Sequence, residues 1–178
     1  TLLKEDKTIS ERTKKAIQSA REKGVTVVLA TGRPIEGVSR YLEELNMYTE
    51  HDYVLSYNGA LIQKTKSKEA VAKVALKGED LHYLRKLSDK LGVNIHAFSE
   101  KRGLITPKNS KYTEVEAEIN NIEIHEMNID NIPDDEVMIK IMMIDEPEIL
   151  GEAMEKLPKD VYEKYTVVRS APFFLEFL

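Results

Sequence analysis

One apolar segment, residues 25–30, constrains the fold more than any other part of this sequence. It reads VTVVLA, is rich in β-branched residues and contains no charged residue. A short apolar run of this kind is typical of a strand buried on both faces, as in a parallel sheet. The turn sequence Thr31-Gly32-Arg33-Pro34 follows directly, so we expect the strand to end there.

Helices and further strands are predicted on both sides of this segment. The order helix, strand, helix, strand is typical of an open α/β sheet. The expected elements are a helix over 11–23 capped by Ser10, a second helix from the turn to about Leu45, a strand over 53–57, and a hairpin arm over 60–63 that follows Asn58-Gly59.

The second half of the chain has a different organisation. The polar stretch 64–69 (KTKSKE) separates it from the first half, and we place a domain boundary within 64–72. Many strands joined by short turns predict an antiparallel α+β layer structure. The sequence therefore predicts two domains, 1–72 and 73–178. Beyond the polar stretch, strands are expected over 71–76, 93–97, 103–106, 137–144, 165–169 and 173–178, and helices over 79–91, 112–120 and 145–157.

Composition excludes several classes of function. The chain has 26 basic and 31 acidic residues, a net charge of −5, so nothing indicates nucleic-acid binding. No apolar run approaches the roughly 18 residues of a membrane span. Cysteine is absent, which excludes disulfides and thiolate metal sites and fits a cytoplasmic protein. The oligomeric state is left open.

The Thr31-Gly32 pair is the first candidate binding site. A hydroxyl at the carboxyl end of a buried parallel strand lies where open α/β sheets bind ligands. Gly32 lets the backbone approach a ligand closely, and the following helix is expected to offer free N–H groups. Together with the Arg33 guanidinium, these groups predict a small anion-binding site. The alternative is that Thr-Gly only turns the chain and caps a helix.

Asn58 is the second candidate. If the strands over 25–30 and 53–57 belong to one parallel sheet, the turns after them open on the same edge, and Asn58 could offer its amide to the same ligand. A type I′ hairpin turn is the alternative interpretation of Asn58-Gly59.

Other polar residues are interpreted as structural. The acidic runs 134–136 and 145–146 are expected to be a loop and a helix cap, because adjacent carboxylates on an extended segment point apart. The histidines have no metal-ligand spacing and lie on separate predicted elements, so we expect them to be structural or exposed. They are His51, His82, His96 and His125.

Several stretches together resemble one known family. They are Thr1-Leu2-Leu3, Ile9-Ser10, VVLATGRP at 27–34, YNGALI at 57–62, and the later stretches 140–147 and 165–172. In this order they resemble the haloacid dehalogenase superfamily, and within it the Cof-type (YidA-like) sugar-phosphate phosphatases. The resemblance implies an α/β fold: a partial Rossmann-like core with a parallel sheet, plus an α+β cap of the C2 type, an antiparallel sheet with helices on one face.

The resemblance also implies a reaction. Members of the family attack a phosphomonoester with an aspartate, hydrolyse the resulting aspartyl-phosphate and use Mg²⁺. By this resemblance Thr31 and Gly32 bind the phosphoryl group, Arg33 and Asn58 lie near the substrate, and the partner is a small phosphorylated metabolite.

This sequence departs from the family pattern at its ends. The family's two catalytic aspartates are expected before Thr1, and its lysine and acidic metal ligands after Leu178, so we predict no catalytic or metal-binding residue in this chain. The chain begins without Met and ends in the apolar run FFLEFL, so we expect it to be a piece of a longer protein that is inactive by itself, with the cap as its better-ordered half. The alternative is a non-catalytic module that binds a phosphorylated ligand or a protein through the cap.

Overall fold

The computed structural model describes residues 2–178 and divides into two compact units, Thr1–Lys73 and Val74–Leu178. Each unit has a sheet and an apolar core of its own. Thr1, which the family resemblance places in a motif, lies outside the described residues. No helix within residues 2–178 is long and apolar enough to span a membrane.

The first unit is built on a four-stranded sheet in the order β1-β2-β3-β4. β1 and β2 are parallel, and the other neighbours are antiparallel. Its core contains Leu42 and Val54, both fully buried. The elements are α1 (Glu11–Glu22), β1 (Leu29–Ala30), a 3₁₀ segment (Ile35–Val38), α2 (Ser39–Glu44), β2 (Tyr53–Ser56), β3 (Leu61–Lys64) and β4 (Ala70–Lys73).

The first predicted helix is confirmed, and its ends follow the expected chemistry. The Ser10 side chain accepts a hydrogen bond from the Thr13 N–H, which satisfies one of the free donors at the helix start. Gly24 follows the last turn with φ +82°, a left-handed conformation that glycine adopts without strain.

The prediction for residues 25–30 is wrong in part. Only Leu29 and Ala30 pair with β2, whereas Val25 and Val28 are 54% and 38% exposed, so 25–30 is not a strand buried on both faces. The reason is that β1 lies at the edge of this sheet, with a neighbour on one side within residues 2–178.

The predicted second helix is divided. A 3₁₀ segment comes first and α2 begins only at Ser39, because Val38 has φ −128°, outside the helical range. The apolar residues Ile35, Val38, Leu42 and Leu45 are nevertheless all buried, and their spacing of three or four residues is that of one helix face.

The second unit is built on a seven-stranded sheet, with the order β10-β11-β9-β6-β7-β8 and β5 paired to β9. Its neighbours are antiparallel except β7 and β8. The elements are β5 (Leu76–Lys77), α3 (Gly78–Leu91), β6 (Asn94–Ser99), β7 (Gly103–Thr106), α4 (Lys111–Asn120), β8 (Ile124–Glu126), β9 (Val137–Ile144), α5 (Pro147–Glu155), α6 (Lys159–Lys164), β10 (Val167–Ala171) and β11 (Phe174–Phe177).

Both faces of the central strands β6, β9 and β11 of this second sheet are buried. Ile95 of β6 and Ile141 of β9 pack with α3 and α5 in the main apolar core. The alternate residues His96 and Lys140 point to the other face, where side chains of α4 reach them. The strand predicted over 93–97 is therefore confirmed as β6, but its alternating pattern indicated a strand with one exposed face, and α4 instead covers that second face.

The segment 71–76 was predicted as one strand and forms two. β4 belongs to the first sheet and β5 to the second, and the chain passes from one unit to the other between them. The apolar pattern of 71–76 is the same on both sides of this crossing, so periodicity could not show where the strand would be interrupted. The mixed α/β class, with parallel pairing in the first unit and a mainly antiparallel second sheet, is confirmed.

Candidate functional site: two loops at one sheet edge

The parallel pairing of β1 and β2 brings the two sequence-predicted loops together. Leu29 pairs with Val54 and Ala30 with Leu55, so residues 31–34 and 57–60 leave the sheet at the same edge. The loops are then joined directly by backbone hydrogen bonds: Asn58 N–H donates to the Thr31 carbonyl at 2.9 Å.

Further backbone bonds fix the first loop on the end of β2. The Thr31 N–H donates to the Leu55 carbonyl at 2.9 Å, and the Tyr57 N–H donates to the Arg33 carbonyl at 3.2 Å. The loop over 31–34 is therefore held at three points and is rigidly placed relative to the sheet.

Thr31 and Gly32 provide the polar groups at the centre of this edge. The Thr31 hydroxyl oxygen accepts a hydrogen bond from the Arg33 N–H at 3.1 Å, which leaves its own proton and a second lone pair for other partners. Within residues 2–178 the Gly32 N–H donates no hydrogen bond. Both residues are half-buried, so a small anion could reach a hydroxyl and an amide donor at this point.

Gly32 is required by a close approach rather than by its backbone angles. A Cβ on residue 32 would lie 2.8 Å from Asn58 Oδ1, closer than real Cβ atoms come to such an oxygen. The Asn58 side chain therefore packs directly over the Gly32 backbone, and no larger residue fits at position 32 without moving it.

The second loop is longer than the predicted turn. Ser56 pairs with Leu61, so four residues, not two, connect β2 to β3 and the type I′ interpretation is wrong. Tyr57, Asn58 and Gly59 all have positive φ, at 51°, 58° and 94°. Asn and Gly are the residues that adopt such conformations most readily, which explains the Asn-Gly sequence.

The helix N–H groups expected beside the candidate anion site are not where they were predicted. Pro34 is extended and only a four-residue 3₁₀ segment follows it, whereas α2 starts eight residues after Thr31 and has six residues. The Arg33 guanidinium lies beside this 3₁₀ segment, with Nη1 3.5 Å from the Gly37 carbonyl. The donors that this edge offers are therefore the Thr31 hydroxyl and loop amides rather than a helix end.

A cavity of about 510 Å³ runs along β1 and ends at this loop. Most of its lining is apolar and comes from α1, β1 and the first residues described. The groups at its polar end are Thr31 and Arg33. It therefore provides room beside the Thr31 side chain within the first unit.

Ser56 is a residue of this edge that the sequence analysis did not select. It is the last residue of β2, it is fully buried, and its hydroxyl has no hydrogen-bond partner within residues 2–178. A serine in an otherwise apolar strand was the available signal, but its burial could not be read from the sequence.

The acidic and histidine residues do not form a metal centre in the part of the chain that the structure describes. Glu136 accepts three hydrogen bonds from Arg102 and one from Ser99, and Glu146 accepts from Lys111 and Tyr112. These carboxylates serve structural ion pairs, so the donor set does not fit Mg²⁺.

His96 is a buried neutral side chain of the second unit. Its ring lies 3.4 Å from the Thr113 hydroxyl and 3.2 Å from Met142 Sδ. Burial, with a smaller contribution from the Lys140 charge, lowers the pKa of His96 to about 3. It therefore carries no charge near neutral pH, and the interpretation as a structural residue agrees with its surroundings.

Comparison with known proteins identifies the family. The model of the haloacid dehalogenase-like hydrolase family matches residues 1–178. The chain is 44% identical over 180 residues to YxeH of Bacillus subtilis (strain 168), a protein provisionally named a phosphatase; the match covers all of this chain and 66% of YxeH. A crystal structure of a haloacid dehalogenase-like hydrolase from Bacteroides thetaiotaomicron matches all of this chain and 67% of that chain, with 29% identity and a TM-score of 0.81.

The chain thus belongs to the haloacid dehalogenase-like hydrolase family, as its resemblance implied. It spans about two thirds of the length of the relatives above. A shorter match, 40% identical over 62 residues, covers 35% of this chain and 22% of YitU of Bacillus subtilis (strain 168), which is named a 5-amino-6-(5-phospho-D-ribitylamino)uracil phosphatase.

Proposed function

We propose that this chain is part of a phosphatase that hydrolyses small phosphomonoesters, and that Thr31 and Gly32 bind the phosphoryl group. The observation that carries the proposal is the rigid loop over 31–34, which holds a hydroxyl and an amide donor side by side at the carboxyl edge of a parallel strand. Donors fixed in this way stabilise the charge of phosphoryl oxygens without reorganisation during the reaction. Arg33 and Asn58 border the same edge and are proposed to lie near the substrate.

The covalent chemistry is assigned to residues outside this sequence. The family resemblance implies an aspartate nucleophile, a second aspartate as acid and base, a lysine and Mg²⁺. The described residues offer no ligand set for the metal, and none of them replaces the nucleophile. We therefore propose that residues 1–178 by themselves bind the phosphoryl group but do not turn over a substrate.

The substrate class is proposed to be small phosphorylated metabolites, with sugar phosphates as the first candidates. The name of YitU describes a phosphate on a ribityl chain, which is also a small polyhydroxylated phosphomonoester. Nucleotide and flavin phosphates are the alternative within the same reaction class. A cytoplasmic location stays a prediction from the sequence.

The domain assignment, a partial core over 1–72 and a cap over 73–178, is part of this proposal. The division of the structure into the units Thr1–Lys73 and Val74–Leu178 supports it.

The proposal is tested with two forms of the protein, residues 1–178 and a form extended at both ends to the length of the relatives. With Mg²⁺ and p-nitrophenyl phosphate, the extended form is expected to turn over, and residues 1–178 are not. Thr31→Val in the extended form is expected to lower kcat by about 10²-fold or more, because one fixed donor to the transition state is lost.

Two results would contradict the proposal. Turnover by residues 1–178, freed of contaminating phosphatase, would show that the catalytic groups lie within them. An extended form that is inactive would favour the alternative, a non-catalytic binding module, and so would a gene whose start codon lies at the position of Thr1.

A further inference from the structure

The hydroxyl of Ser56 needs an explanation that packing does not supply. It is fully buried at the end of β2 and has no partner within residues 2–178. A buried hydroxyl without a hydrogen bond destabilises the folded state, so alanine would be the better residue if position 56 only filled space. Explanations for such a group include stored strain, a catalytic role, and a water or ion that serves as its partner.

The register of β1 and β2, continued one residue past the end of β1, places Ser56 opposite Thr31. The parallel pairs are Leu29 with Val54 and Ala30 with Leu55, and the Thr31 N–H bond to the Leu55 carbonyl continues the ladder. One step further, Thr31 lies opposite Ser56. Leu29 and Val54 both pack in the core on one face of the sheet, and the two-residue period puts Thr31 and Ser56 on that same face.

The hydrogen-bonding capacity of Thr31 leaves one position open for Ser56. A threonine hydroxyl donates one hydrogen bond and accepts two. One lone pair accepts the Arg33 N–H at 3.1 Å. If the hydroxyl proton is donated to a bound oxyanion, the second lone pair is free for the Ser56 proton. The two hydroxyls are not hydrogen-bonded to each other in the structure, so this bond would form on anion binding.

We propose that Ser56 is a positioning residue of the phosphoryl site: on oxyanion binding its hydroxyl donates to Thr31 Oγ1 while Thr31 donates to the anion. The inference rests on the proposed function. Hydrogen bonds in such a chain polarise one another, so a donation from Ser56 strengthens the charge-assisted bond from Thr31 to the anion. Ser56 acts through Thr31 and does not touch the ligand.

The test compares anion affinity with stability in residues 1–178. Inorganic phosphate is titrated while the amide resonances of Gly32 and Asn58 are followed by NMR, and thermal unfolding is recorded for each variant. Ser56→Ala is expected to weaken phosphate binding about three- to tenfold, the value of one neutral hydrogen bond, with the unfolding midpoint unchanged or raised. Ser56→Cys, close in size and a weak donor, is expected to weaken binding similarly and serves if the alanine variant does not fold.

Two controls separate this inference from the proposed function. Ser39→Ala removes a hydroxyl that donates to the Ile35 carbonyl in the same unit; it is expected to lower stability and leave phosphate affinity unchanged. Thr31→Val is expected to abolish binding. Wild-type affinity in Ser56→Ala and Ser56→Cys, with binding lost in Thr31→Val, would overturn the role of Ser56 alone. Unchanged affinity in Thr31→Val as well would overturn the proposed function.

Discussion

At the scale of single residues, the geometry of the candidate site depends on how closely Gly32 and Asn58 approach each other. The carboxamide of Asn58 occupies the space where any other residue at position 32 would carry a Cβ. Asn58 itself has the left-handed backbone that lets its N–H reach the Thr31 carbonyl. Gly32 in one loop and Asn58 in the other therefore fix the geometry of the two loops relative to each other.

In Gly32→Ala the new Cβ would lie 2.8 Å from Asn58 Oδ1, so the Asn58 side chain is expected to be displaced. We expect the free energy of unfolding to fall by about 1–3 kcal/mol and phosphate binding to weaken. Urea unfolding and the phosphate titration measure the two effects. Gly151→Ala is the matched control: its Cβ meets Arg169 Nη1 at an ordinary 3.7 Å within α5, so it is expected to be neutral or stabilising. Equal behaviour of the two variants would contradict the packing described here.

Part of this site was predictable from the sequence because a simple rule of parallel sheets applies to it. Thr31 and Asn58 follow neighbouring parallel strands, and such strands end at one edge, so their proximity was predictable. Ser56 was not, because its role depends on register and on burial, which arise only when β1 and β2 pair. The turn type of 57–60 was missed for a related reason: loop length is set by where the β2–β3 ladder stops.

At the scale of elements, one carboxylate ties α3 to α6. Asp80 accepts hydrogen bonds from Tyr165 at 2.8 Å and from the Lys77 N–H at 2.9 Å, and its ion pair with Lys164 is 2.7 Å long. Burial alone would raise the pKa of Asp80, but these partners outweigh it and hold the pKa below the ordinary value. Burial above all, together with the hydrogen bond to Asp80, raises the pKa of Tyr165 to about 12, although Lys164 acts in the opposite direction.

The second unit is therefore expected to lose stability in acid through Asp80. Because the pKa is lower in the folded than in the unfolded chain, the stabilisation is fully present above the unfolded value of about 3.9 and is lost as pH falls through the folded pKa. Asp80→Asn is expected to cost about 1–2 kcal/mol at pH 7 and progressively less towards pH 2. Urea unfolding of both proteins at several pH values measures this difference; a difference that stays constant down to pH 2 would contradict it.

The second face of the large sheet carries a buried ion cluster. Lys140 Nζ lies 3.3 Å from Glu116 Oε1 on α4 and 3.5 Å from Glu176 Oε1 on β11, and all three side chains are nearly inaccessible. The Ser170 hydroxyl also donates to Glu176. The strand over 137–144 was predicted from its apolar residues. The burial of its single lysine could not be predicted from the sequence, because it depends on the packing of α4.

Lys140→Met is expected to destabilise the chain by about 3–5 kcal/mol, because it leaves two buried carboxylates without their cation. Adding Glu116→Gln and Glu176→Gln removes those charges and is expected to recover more than half of the loss. Chemical denaturation of the single and triple variants gives both numbers. A triple variant no more stable than Lys140→Met would show that the loss comes from packing and not from charge.

At the scale of the whole molecule, the two units differ in how extensively their strands are paired with neighbouring strands. β1 has two paired residues and a partly exposed approach segment, whereas β9 has eight residues, paired to β6 on one side and to β11 on the other. Opening of a strand is easiest where few buried contacts oppose it.

Amide hydrogen exchange of residues 1–178 is therefore expected to be fast over 25–30 and slow in β6 and β9, by several orders of magnitude. Mass spectrometry with peptides from each segment measures this directly. Strong protection over 25–30, comparable to that of β9, would contradict the expectation that the second unit is the better-ordered part.

The central claim, that Thr31 and Gly32 bind a phosphoryl oxygen, is tested most directly by a crystal structure of the extended protein grown with tungstate, a phosphate analogue. The account predicts a tungstate oxygen at hydrogen-bond distance, about 3 Å, from both Thr31 Oγ1 and the Gly32 nitrogen. Tungstate bound elsewhere in the protein, with the loop over 31–34 turned away from it, would contradict the claim.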